Sequence, residues 1–190
     1  MALVQAAINA TAMVFEERLE EDDVMALYSL GESYLIQPTR KGGREAELLQ
    51  RIKASNKPGG DCRLYSSMSE ALDGMKQQDP AYSKWLIVLT DLVDLSKRGN
   101  KSASSAAARD VLAKMNCLEN LNLAIIDSEV ISGWEPTNVM WPTFRSNAKM
   151  LVEQLSGSNK GYHLKADNEN AIREAFARVA SMMGGMNEAL

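Results

Sequence analysis

Two short, mostly apolar runs constrain the fold of this chain more than any other feature. They are KWLIVLT at residues 84–90 and LNLAIID at residues 121–127. Runs of this length without polar alternation are typical of strands that are buried on both faces of a sheet. The first run stops directly before Asp91, and the second ends in Asp127. The sequence therefore predicts two buried strands, each followed at once by a polar segment.

Segments with helical periodicity alternate with these strands. This alternation predicts an α/β fold with a Rossmann-like, mostly parallel sheet, helices on both of its faces and one short antiparallel edge strand. Pro38 is expected to end the returning antiparallel strand, and Asp167 or Asn168 to cap the last helix. Helices are predicted over residues 2–20, 44–55, 64–77, 103–116, 147–155 and 168–183, and further strands over residues 24–30, 33–37 and 161–166.

Length and composition indicate one domain over residues 1–190. The chain is 45% hydrophobic, which supplies one sizeable core, and its net charge is −4. An acidic chain is a poor partner for nucleic acid or an anionic membrane, so we expect neither. Cys62 and Cys117 are far apart and lack metal-binding spacing, which favours two thiols in a reducing compartment. The apolar run at residues 2–15 makes a poor signal peptide, so we expect a cytoplasmic protein unless the chain is truncated at its N-terminus.

Candidate functional residues follow from the predicted sheet. In open α/β sheets the binding crevice lies beyond the carboxyl ends of the parallel strands, where Asp91 and Asp127 would sit. A loop containing Trp134 would lie beside that edge. No glycine-rich phosphate loop is present. The single histidine, His163, is predicted on the last strand, opposite Tyr162 and Leu164 and exposed, so no catalytic residue is assigned.

Two further motifs, in the order in which they occur along the chain, resemble those of a known protein family. Gly59-Gly60 is followed by Leu64 and Tyr65, and the later strand ends in Thr90 and Asp91, with Asp94 close behind. This order resembles the von Willebrand factor type A domain. The family implies a metal-ion-dependent adhesion site, in which five side chains hold Mg²⁺ or Mn²⁺ and an acidic residue of a protein partner completes the coordination.

The chain departs from that family at the implied metal site. The ligand position after the two glycines falls on Asp61 when it is counted forward from Gly60. It falls on Cys62 when it is counted back from Tyr65. Leu92 replaces a glycine after Asp91. The Asp-x-Ser-x-Ser motif and the first, central strand are missing. The resemblance therefore implies a degenerate site with Asp91, Asp61 and Cys62 as metal candidates and with weak or absent Mg²⁺ or Mn²⁺ binding.

These observations predict a non-catalytic protein–protein interaction module. Asp94, Asp127 and Trp134 are its expected partner-binding residues. One alternative is a metal-dependent enzyme that handles phosphates or nucleotides, with Asp91 and Asp127 as the metal pair. Another is a structural subunit of a larger assembly, which forms a dimer or accepts the missing strand from a neighbour. The missing strand is otherwise expected to belong to a longer chain.

Overall fold

The computed structural model of the protein describes residues 2–30, 34–55, 63–92, 94, 101–128, 153 and 161–185. Helices and strands alternate along these residues, which confirms the α/β class. The described helices are α1 (Ala2–Arg18), α2 (Glu45–Ala54), α3 (Leu64–Lys76), α4 (Lys101–Asn116) and α5 (Glu169–Gly185), and the described strands are β1 (Val24–Tyr28), β2 (Tyr34–Arg40), β3 (Lys84–Thr90), β4 (Leu121–Asp127) and β5 (Gly161–Lys165).

Three of the strands form a parallel sheet in the order β3-β4-β5. The β3–β4 ladder runs without a shift from Lys84 opposite Leu121 to Thr90 opposite Asp127. The β4–β5 ladder continues to Asp127 opposite Lys165. Every residue of β4 is buried. The two apolar runs therefore form neighbouring parallel strands, as predicted, and β4 is central because both of its edges are paired.

The other two strands form a separate antiparallel sheet. β1 pairs with β2 through a ladder that shifts register on both sides of Leu27. The expectation that Pro38 ends the returning strand is wrong, since β2 continues to Arg40. A proline fits an edge strand because its missing N–H can face away from the ladder. Most of the predicted helix over 147–155 lies outside the described residues.

The buried side chains form three clusters. The first joins α3 and α4 to Leu86 and Val88 of β3 and to Leu121, Leu123 and Ile125 of β4. The second joins α1 and α5 to Ala124 and Ile126 of β4 and to Leu164 of β5. Because successive side chains of a strand point to opposite faces, these two clusters use opposite sides of β4. The third cluster joins α1 and α2 to Ile36 of β2.

Helix α1 contributes to two of these clusters. Ala6, Ala10 and Val14 belong to the second cluster, and Ile8, Ala12 and Phe15 belong to the third. Small side chains let a helix approach its neighbours closely, and α1 contacts both α5 and α2. No helix among the described residues is long and apolar enough to cross a membrane.

Candidate functional site

The carboxyl ends of the three parallel strands meet at one edge of the sheet. Thr90 is opposite Asp127, and Asp127 is opposite Lys165, so all three strands end at the same level. Ser128 N donates to Thr90 O at 2.9 Å, and Ala166 N donates to Asp127 O at 2.8 Å. These bonds continue the ladders one residue past the strands. The predicted candidates Asp91 and Asp127 therefore both lie at this edge.

The turn that follows β3 has an unusual backbone. Leu92 adopts a φ of +63°, in the left-handed region that favours glycine. Leu92 N donates to the side-chain oxygen of Thr90 at 3.0 Å, and the Leu92 side chain belongs to the first cluster. A hydrogen bond and apolar burial thus hold a residue in a conformation that its side chain disfavours. The turn places Asp91 half-buried at the end of the sheet.

The carboxyl ends of β4 and β5 are joined by a side-chain pair. His163 Nε2 lies 3.2 Å from Asp127 Oδ2. The Asp127 side chain is 2% exposed and the His163 side chain 28%. His163 is opposite Ile125, two residues before Asp127, so both side chains point to the same face. A hydrogen bond of this kind offsets part of the cost of burying a carboxylate.

Sequence alternation correctly placed His163 opposite Tyr162 and Leu164, but it did not identify Asp127 as its partner. The two residues are 36 positions apart. Their contact depends on β5 being the neighbour of β4 and on the register between them. The signal available in the sequence was one acid and one histidine on different predicted strands, which is too common a combination to indicate a contact.

The remaining predicted site residues differ in accessibility. Asp94 is 1% exposed, and Asp94 and Asp127 therefore present almost no side-chain surface to a partner in this conformation. Asp91 is the most accessible of the three described candidates. The candidates Asp61, Cys62 and Trp134 lie outside the described residues.

Within the described ranges, no group of three or more His, Cys, Asp or Glu side chains is close enough to hold a metal ion. Mg²⁺ and Mn²⁺ need several oxygen ligands in one place. The carboxyl edge as described brings Asp91 and Asp127 to neighbouring strand ends. His163 lies against Asp127 at the same edge, but these described side chains do not form a group that could hold a metal ion.

A shallow cavity of about 220 Å³ lies between α3 and α4, lined by Leu72, Lys76, Lys114 and Cys117 among others. One of its two lysines is already engaged, because Lys114 Nζ lies 2.6 Å from both Ser69 Oγ and Asp73 Oδ2. The cavity is smaller than typical small-molecule sites, which occupy roughly 300–1,000 Å³. This cavity is therefore a poor candidate for a small-molecule site.

Comparison with protein-family models, with curated proteins and with solved structures finds no match to this chain.

Proposed function

We propose that the protein is a non-catalytic protein–protein interaction module with a Rossmann-like sheet, similar to a von Willebrand factor type A domain. The observation that carries the proposal is the turn Thr90-Asp91-Leu92. The left-handed φ of Leu92 lies where the family has a glycine, and the Thr90 side chain fixes the turn. Asp91 is thereby presented at the carboxyl edge of a parallel sheet, where α/β proteins place their binding sites.

In this proposal the partner contact is independent of metal. Asp91 is the one accessible carboxylate among the described candidates, while Asp94 and Asp127 are buried beneath the surface. These two buried carboxylates would stabilise the edge of the sheet rather than touch the partner. A single half-exposed carboxylate binds Mg²⁺ too weakly to organise an adhesion site, because hard cations require several oxygen ligands.

Thermal unfolding with and without Mg²⁺ or Mn²⁺ tests the metal part of the proposal. We expect the midpoint of the parent protein to be the same with and without metal, and likewise that of Asp91→Ala. Glu119→Ala serves as the control, because Glu119 is exposed and precedes the amino end of β4. A ligand that binds the native state raises the midpoint by mass action. A metal-induced rise in the parent that disappears only in Asp91→Ala would contradict the degenerate site.

Site-specific photo-crosslinking tests the contact itself. A photo-reactive residue is placed at Asp91 in one version of the protein and at Glu119 in another, and both are expressed in the native cell. We expect a discrete protein adduct from position 91 and none from position 119. Equal labelling from both positions, or no adduct from position 91, would count against the carboxyl edge as the contact surface.

One observation favours the second candidate function, a metal-dependent enzyme that handles phosphates or nucleotides. The Asp127–His163 pair is an arrangement that orients a histidine for proton transfer. A panel of nucleotides and phosphate esters with Mg²⁺ would distinguish the two functions. Saturable binding that is lost in His163→Gln would support the enzyme, and no binding across the panel would support the interaction module.

A further inference from the structure

We draw no further inference here: the strongest candidate, the shallow cavity between the carboxyl ends of α3 and α4 with the exposed Cys117 on its rim, carries nothing, because Lys114 there is already held by Ser69 and Asp73 and nothing in the structure shows what would occupy the cavity beside a lone cysteine.

Discussion

His163 on β5 lies 3.2 Å from the buried carboxylate of Asp127 on β4, and this contact joins two neighbouring strands at the edge that carries the candidate site. The carboxylate sits at the centre of the sheet, because β4 is paired on both sides. A buried acid in this position requires a polar partner to be tolerated. The pair therefore contributes to the stability of the edge whether or not it takes part in chemistry.

A double-mutant cycle measures this contribution. Asp127→Ala, His163→Ala and the double variant are compared by denaturant unfolding. We expect Asp127→Ala to cost about 1 kcal/mol less in the absence of His163 than in its presence, which is the net value of a typical hydrogen bond. Effects that add to within about 0.5 kcal/mol would show that the two side chains are not energetically coupled.

The left-handed turn at Leu92 makes a second prediction. Leu92→Ala and Leu92→Gly remove nearly the same buried side chain, but only glycine adopts a φ of +63° without strain. We therefore expect the glycine variant to be more stable than the alanine variant by about 1 kcal/mol. Thermal or denaturant unfolding of the two variants measures the difference.

Leu118 is the control for that comparison. It is buried in the same cluster as Leu92, and it is not among the described non-glycine residues with positive φ. At Leu118 the order should reverse, with the glycine variant less stable than the alanine variant because glycine loses more backbone freedom on folding. The same order at both positions would contradict the strained turn.

The sequence predicted β3 and β4 to the residue because a short, mostly apolar run with few polar residues is typically buried as a strand. The sequence was less informative where strand pairing and strand order determine the structure. Pro38 was expected to end a strand, yet an edge strand tolerates the missing N–H. The Asp127–His163 contact could not be predicted, because it depends on strand order and register across 36 positions rather than on local pattern.

A buried lysine at the opposite end of the sheet makes a third prediction. Lys84 is 6% exposed, and its Nζ donates to the carbonyl oxygens of Asp79 at 2.9 Å and Tyr82 at 3.1 Å, with Pro80 O at 3.4 Å. The ammonium group thus closes the loop before β3. Lys84→Met keeps the aliphatic stem but leaves these carbonyls without their donor, so we expect a loss of about 1–3 kcal/mol in the free energy of unfolding.

The control for this variant is Lys114→Met. Lys114 is 30% exposed and pairs with Asp73 at 2.6 Å. A partly exposed ion pair contributes little because solvent screens it, so we expect a loss of only about 0–1 kcal/mol. Both variants are measured by urea unfolding. Equal losses would show that the buried hydrogen bonds of Lys84 contribute no more to the free energy of unfolding than the partly exposed ion pair of Lys114.

The start of α5 provides the last prediction, and it separates two candidates that the sequence left open. Ala171 N donates to Asn168 Oδ1 at 2.9 Å, which identifies Asn168 as the N-cap, and no such bond to the Asp167 carboxylate is described. Asn168→Ala should lower the free energy of unfolding by about 1 kcal/mol, and Asn168→Asp should recover most of that loss. Asp167→Ala should stay within about 0.5 kcal/mol of the parent, as exposed substitutions usually do.

Because α5 covers β4 and β5 through the second cluster, fraying of its first turn should also speed amide exchange in β5. A larger loss of stability in Asp167→Ala than in Asn168→Ala would contradict the assignment of Asn168 as the N-cap.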